Sequence, residues 1–112
     1  RFYRAADFAV WPGASSLSFY DAQACGLPVI LENVDINRER LSSDNGFLFE
    51  PDSASYLRRV LESATNMNDK DIRFMGEKGQ RITYDNFSYD VIAQKFEQFM
   101  IQTIKRFERF DF

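Results

Sequence analysis

The residues with the clearest chemical potential lie in one stretch, residues 11–28, which reads WPGASSLSFYDAQACGLP. A strand that runs into a helix through a loop of Gly, Ala and Ser leaves backbone N–H groups free at the positive end of the helix. An anion such as a phosphate can bind there. The hydroxyl of Ser15 or Ser16 is expected to cap the helix. Asp21 is the one acidic residue of the stretch, so the pattern predicts an anion site on a helix that also carries a carboxylate.

The composition excludes several kinds of chemistry. The chain has no His and one Cys, which rules out a disulfide framework, a Cys/His zinc site and any mechanism that needs a His base. Cys25 lies in an apolar setting and is expected to pack rather than react. The 14 basic and 17 acidic residues are scattered and give a net charge of -3, so no nucleic-acid partner is expected.

The length and hydropathy predict one soluble domain. A chain of 112 residues that is 45% hydrophobic can bury a core of its own. No apolar run is long enough to span a bilayer and no secretory pattern is present, so a cytoplasmic location is expected. The first residue is Arg1 rather than Met, which predicts that the chain is a piece of a longer protein.

Two apolar runs flank the Gly-Ala-Ser loop and its helix. Residues 8–11 and 29–31 are short and almost unbroken in hydrophobicity, which predicts strands covered on both faces, as in a parallel sheet. A helix over residues 16–25 would connect them, with Leu17, Tyr20 and Ala24 on one face. Parallel sheets bind ligands outside the carboxyl ends of their strands, so the loops that follow the two runs are expected to form a site.

The remainder of the chain predicts a third strand and further helices. Phe47 to Phe49 form a short apolar run, and the three helices that follow are expected to be capped by Asp52 or Ser53, by Asn68 and by Ser88. The second of these helices, capped by Asn68, has Ile72, Met75, Gly79 and Ile82 as its expected inward face. The predicted fold class is α/β, a parallel Rossmann-like sheet with helices on both faces.

Four segments carry a resemblance to a known family: ADFAVWP at 6–12, DAQACGLPVI at 21–30, NGFLF at 45–49 and FSY at 87–89. In this order and spacing they resemble the carboxyl-terminal half of the donor-binding domain of retaining glycosyltransferases of family 4, which have the GT-B fold and use nucleotide sugars. The resemblance implies that residues 1–112 are part of that carboxyl-terminal, Rossmann-like domain.

The resemblance also implies roles for individual residues. Asp21 takes the second position of a Glu-seven residues-Glu signature, whose carboxylate hydrogen-bonds the ribose hydroxyls of the donor. The first position falls on Gly13, which has no carboxylate, so the sugar is recognised by Ser15, Ser16 or backbone groups, or this recognition has been lost. The donor-binding residues are therefore predicted to be Gly13, Ser15, Ser16, Leu17 and Asp21, with no catalytic residue and no metal ligand assigned.

The function implied is transfer of a sugar, with retention, from a UDP-sugar or GDP-sugar to an acceptor in polysaccharide or glycolipid synthesis. The acceptor, a sugar, a lipid-linked sugar or a protein, is left open, and no cofactor is expected besides the donor. The chain is not expected to be active alone, because the family holds the diphosphate with basic residues on an earlier segment. The alternative is a non-catalytic nucleotide-sugar-binding or protein-interaction domain of the same fold.

Two further regions allow more than one interpretation. Glu32 and Asn33, at the end of the second strand, are either ordinary loop residues or contacts to the nucleotide base or ribose. The last helix, residues 88–109, is expected to pack on the missing amino-terminal domain. Its aromatic end, which includes Phe107, Phe110 and Phe112 among basic residues, gives peripheral contact with the inner face of a membrane as the alternative.

Overall fold

The computed structural model describes residues 1–13, 16–41 and 44–109. Within these ranges the chain forms three strands and five helices. In chain order they are β1 (Ala9–Trp11), α1 (Ser18–Ala24), β2 (Val29–Glu32), α2 (Asp35–Arg40), β3 (Gly46–Phe49), α3 (Ala54–Thr65), α4 (Asp69–Phe87) and α5 (Tyr89–Glu108). The predicted α/β class is confirmed.

The three strands form one parallel sheet in the order β1-β2-β3. Trp11 pairs with Leu31, and Leu31 pairs with Leu48 on its other side. The central strand β2 has Val29, Ile30 and Leu31 fully buried, as a strand covered on both faces requires. The strand-helix-strand crossover predicted around residues 11–28 is therefore present.

Helices cover both faces of the sheet, because successive side chains of β2 point to opposite sides. Val29 and Leu31 pack with Phe19 of α1 on one face. Ile30 packs with Phe49 and with Ala64 of α3 on the other face. The two-sided cover predicted from the sequence is confirmed.

The prediction that the first strand is buried on both faces is wrong. Val10, in the middle of β1, is 38% exposed. The reason is that β1 is an edge strand, while α3 packs against β3 at the opposite edge of the sheet. An apolar run alone does not reveal which strand of a sheet will be central.

The helix that follows β1 is shorter than predicted and buries a different face. It begins at Ser18 rather than Ser16, and Leu17 is 70% exposed. Its buried residues are Phe19, Ala22 and Gln23, not the predicted Leu17, Tyr20 and Ala24. The sheet covers one side of α1 and α4 covers another, so the buried face includes the polar Gln23.

The contact between α1 and α4 relies on polar pairs and close backbone approach. Thr83 Oγ1 donates to Gln23 Oε1 at 3.2 Å, and Gln80 Nε2 donates to the Ala24 carbonyl at 2.7 Å. Gly26 ends α1 with φ of 82°, a conformation that favours glycine. A Cβ on Gly76 would lie 1.9 Å from the Gly26 carbonyl oxygen, so only a glycine lets α4 approach this turn.

The later helices begin at the predicted caps. The side chains of Ser53, Asn68 and Ser88 each accept a hydrogen bond from a backbone N–H in the first turn of α3, α4 and α5, at 3.2, 2.8 and 3.4 Å. The predicted inward face of α4 is only partly right. Gly79 is buried, but the other fully buried positions are Gly76 and Thr83, because this helix packs closely on α1.

The last helix, α5, has no buried residue. Its apolar face is open, with Phe96, Phe99 and Phe107 exposed by 65%, 67% and 75%. Phe110 and Phe112, which entered the membrane interpretation, lie outside the described residues. None of the described helices combines the length and the hydrophobicity that a membrane span requires.

Candidate functional site

The loop between β1 and α1 is held by a small network of hydroxyl groups. The backbone N–H of Ser18 donates to Ser16 Oγ at 3.2 Å, and the two serine hydroxyls are 2.8 Å apart. Trp11 Nε1 donates to Ser18 Oγ at 3.2 Å. Leu17 is the N-cap residue and no side chain caps the helix from that position; the Ser16 hydroxyl accepts only from the N–H of Ser18, the first helical residue. The predicted Ser15 lies outside the described residues.

An open groove of about 730 Å³ lies between α1 and the junction of α4 and α5. We call it the helical groove; its lining includes Leu17, Ser18, Asp21, Tyr84 and Tyr89. Asp21 is in the first turn of α1, is exposed, and makes no hydrogen bond or ion pair with any described residue. The groove thus presents an available carboxylate next to two tyrosine rings.

Aromatic stacking forms one wall of the helical groove. The Tyr20 ring lies 4.0 Å from the Phe19 ring and 4.7 Å from the Phe87 ring, measured between centroids. The guanidinium of Arg40 lies over Phe19 at 4.9 Å and over Tyr20 at 5.8 Å. Burial raises the pKa of the Tyr20 hydroxyl, and the charge and hydrogen bond of Arg40 offset only part of that shift. Tyr20 is therefore a neutral phenol at physiological pH.

A second depression, of about 440 Å³, lies at the carboxyl ends of the three strands. We call it the strand-end cleft; its lining includes Pro12, Gly13, Glu32, Pro51 and Asp52. A Cβ placed on Gly13 would meet no heavy atom within 4 Å, so this part of the cleft is open space. The location is the one at which parallel α/β sheets generally bind ligands.

The structure divides the predicted site residues between the two spaces. Leu17 and Asp21 line the helical groove, whereas Gly13 lines the strand-end cleft. Ser16 lies on the loop between them and is hydrogen-bonded within that loop. The loop after β1 therefore contributes to both.

Some residues that line the helical groove or the strand-end cleft were not predicted as site residues from the sequence. Tyr84 reaches the helical groove only because α4 packs on α1, a contact between segments about 60 residues apart along the chain. Ser88 and Tyr89 belong to a segment of the family resemblance and to the predicted helix start, and no site role was predicted for them, although they also line this groove. Asp52 joins the strand-end cleft through the β2 and β3 pairing, which local patterns do not reveal.

No cluster of three or more His, Cys, Asp or Glu side chains with the geometry of a metal site occurs in the ranges that the structure describes. The candidate site therefore consists of single carboxylates, hydroxyls, aromatic rings and backbone groups. Such groups suit a ligand rich in hydroxyls.

The three-stranded parallel sheet with helices on both faces and openings at the strand ends has the fold of part of a GT-B glycosyltransferase domain. One solved structure that it resembles is a sucrose-phosphate synthase (tll1590) from Thermosynechococcus elongatus, a GT-B glycosyltransferase. The match covers 94% of this chain with a TM-score of 0.82 and 25% sequence identity. The chain spans 27% of the length of that protein. No protein-family model matches the sequence, and no curated protein matches it.

Proposed function

We propose that this chain supplies part of the donor site of a glycosyltransferase that uses a nucleoside diphosphate sugar. The observation that carries the proposal is the structural match to a glycosyltransferase across 94% of the chain at a TM-score of 0.82. A shared fold does not by itself establish a function, because function depends on the residues of the site. Residues that suit the donor must therefore also be present.

Asp21 suits the ribose of the donor. It is exposed in the helical groove, and its carboxylate has no partner among the described residues. An ionised carboxylate accepts hydrogen bonds from two neighbouring hydroxyls at once, which matches the vicinal diol of ribose. Because α1 is packed between the sheet and α4, the carboxylate is held on a rigid support.

The diphosphate is proposed to lie at the start of α1, near Gly13 and Leu17, where backbone N–H groups of the first helical turn can donate to it. Residues 12–18 contain no Lys or Arg, so cationic groups outside this loop must balance most of the charge of the diphosphate. In the reaction the bond from the anomeric carbon to the diphosphate oxygen breaks, and the oxygen of the acceptor hydroxyl forms the new bond to that carbon with retention of configuration. The proton of the acceptor hydroxyl passes to the leaving diphosphate. Stabilising the negative charge on the leaving diphosphate is the main electrostatic task of such a site.

The experiment that tests this proposal is a calorimetric titration of the intact protein with UDP and with GDP. Asp21→Ala should weaken binding of the preferred nucleotide by about tenfold or more, because hydrogen bonds to a charged group contribute about 1.5–3 kcal/mol. Asp85→Ala is the matched control, since Asp85 is an exposed carboxylate on α4 that does not line the helical groove. Equal affinities for wild type and Asp21→Ala would disprove the ribose role.

A second candidate function is a non-catalytic nucleotide-sugar-binding domain. The observation that favours it is Gly13, which stands where the resemblance calls for a carboxylate. The two candidates differ in turnover. An intact protein that binds a nucleotide sugar through Asp21 but transfers no sugar to any acceptor of the sugar, lipid-linked sugar or protein classes would support the non-catalytic function.

A further inference from the structure

Glu32 is a half-buried carboxylate at the carboxyl end of β2, and it lines the strand-end cleft. Its carboxylate makes no hydrogen bond or ion pair with any described residue. Partial burial removes water from a charged group, and folded proteins usually compensate for that loss with a partner. A carboxylate that faces an open cleft without one is a candidate contact for a bound molecule.

The backbone of Glu32 is fixed from several sides. The residue pairs with Phe49 in the sheet register, and the next residue, Asn33, donates its N–H to the Phe49 carbonyl at 2.7 Å. The Glu32 carbonyl accepts from the Val34 N–H and from Asn37 Nδ2, both at 2.9 Å. The backbone that carries the carboxylate is therefore held in place by the sheet and by the start of α2, as a specific contact requires.

The lining of the strand-end cleft favours a neutral ligand with many hydroxyls. No Lys or Arg is among the described residues that line it, and Asp52 adds a second carboxylate. A phosphate group beside Glu32 would be repelled, whereas sugar hydroxyls can donate to it. Pro12 and Pro51 offer apolar surface to the C–H groups of a sugar ring. Gly13 leaves open space next to them.

We propose that Glu32 binds hydroxyl groups of the transferred sugar and so determines which donor sugar the protein accepts. The inference rests on the proposed function and adds a residue to its site. Asp21 and Glu32 then have separate tasks, the first on the ribose in the helical groove and the second on the sugar in the strand-end cleft.

The test compares two ligands for each variant. The intact protein and its Glu32→Gln variant are titrated with UDP and GDP, and with UDP-glucose and GDP-mannose as nucleotide-sugar probes. Because Glu32→Gln loses the charged acceptor, its affinity for the nucleotide sugar should be about tenfold lower than that of wild type. The affinity for the free nucleoside diphosphate should stay within about twofold of wild type, because the diphosphate and nucleoside do not contact Glu32.

Glu50→Gln is the matched control. Glu50 is exposed at the same edge of the sheet, and its Oε1 accepts from Asn33 Nδ2 at 2.9 Å, a bond that Gln can keep. This variant should bind both ligands as wild type does. Glu32→Asp, which keeps the charge but retracts it by one methylene, should show the same selective loss and serves as the test if Glu32→Gln does not fold.

The outcomes separate this inference from the function on which it rests. Unchanged binding of the nucleotide sugar by Glu32→Gln would overturn the role of Glu32 while leaving the donor site itself in place. An equal loss for the free nucleotide and the nucleotide sugar would overturn it too, since Glu32 would then contact the nucleotide. If wild type binds none of the four ligands, the proposed function fails, and the role of Glu32 fails with it.

Discussion

Asp21 and Glu32 are the two carboxylates whose positions argue most directly for a hydroxyl-rich ligand. One lies on a helix and the other at the end of the central strand, and neither has a partner among the described residues. Ser16, by contrast, is already hydrogen-bonded within its loop, so its predicted role as a direct ligand contact stays a prediction. The side chains of the site therefore differ in how available they are to a donor.

The ionisation of Tyr20 predicts a pH dependence of stability. Because burial raises the pKa of its hydroxyl, the folded chain holds this proton more tightly than the unfolded chain. The stability that this pKa shift contributes to the folded chain is fully present below about pH 10, the pKa of tyrosine in the unfolded chain. It is lost as the pH rises through the pKa of Tyr20 in the folded chain. Urea unfolding at a series of alkaline pH values should show a smaller loss of stability for Tyr20→Phe than for wild type.

Arg40 provides the companion variant for this titration. Its charge opposes the effect of burial, so Arg40→Met should raise the pKa of Tyr20 further. The alkaline loss of stability should then extend to higher pH. Identical pH profiles for wild type, Tyr20→Phe and Arg40→Met would contradict the assignment of this titration to Tyr20.

Gly76 and Gly79 form a matched pair for testing the approach of α4 to α1. Gly76→Ala should lower the free energy of unfolding by about 1–3 kcal/mol, because its Cβ would lie 1.9 Å from the Gly26 carbonyl oxygen. Gly79→Ala meets its nearest atoms at 3.5 Å, which is ordinary contact, and gains up to about 1 kcal/mol in helix propensity. Urea unfolding of both variants should give opposite signs, and a destabilised Gly79→Ala with a neutral Gly76→Ala would contradict this packing.

At the scale of elements, features that depend on local sequence were predicted correctly, whereas features that depend on tertiary packing were not. The caps at Ser53, Asn68 and Ser88 were predictable because a cap depends on the residue and its own first turn. The buried face of α1 was not predictable, because its neighbour α4 lies far along the chain and selects Gln23 for burial. The exposure of Val10 has the same kind of cause, since strand order is a property of the whole sheet.

The open face of α5 predicts an unequal tolerance to substitution. Phe99 is 67% exposed, so Phe99→Gln should change the free energy of unfolding of this chain by no more than about 0.5 kcal/mol. Phe19 is 1% exposed, so Phe19→Ala should lower the free energy of unfolding by about 3–5 kcal/mol. A large destabilisation by Phe99→Gln would show that the face of α5 is covered.

At the scale of the molecule, the chain measures 64 × 29 × 23 Å, which is far longer than wide. The helix α5, about 30 Å long at 20 residues, accounts for much of this length, since it packs on α4 and on little else in the described part of the chain. The packing of α5 on an amino-terminal domain stays a prediction.

How far the sequence predicts the molecule depends on the kind of feature. The role of the loop after β1 in binding stays a prediction, whereas the parallel sheet followed from the apolar runs. The separation of Asp21 in the helical groove from Gly13 in the strand-end cleft did not, because it depends on which elements border each space. Gly13 and Glu32 line one cleft, as expected for loops that follow the carboxyl ends of two neighbouring parallel strands.

The measurement that tests the account most directly is a structure of the intact protein bound to a nucleotide sugar. The ribose hydroxyls are expected within hydrogen-bond distance of the Asp21 carboxylate, at about 2.5–3.0 Å. The transferred sugar is expected in the strand-end cleft, with its hydroxyls on Glu32. A nucleotide bound away from α1, or one bound nearby with the Asp21 carboxylate facing only solvent, would contradict the proposed donor site.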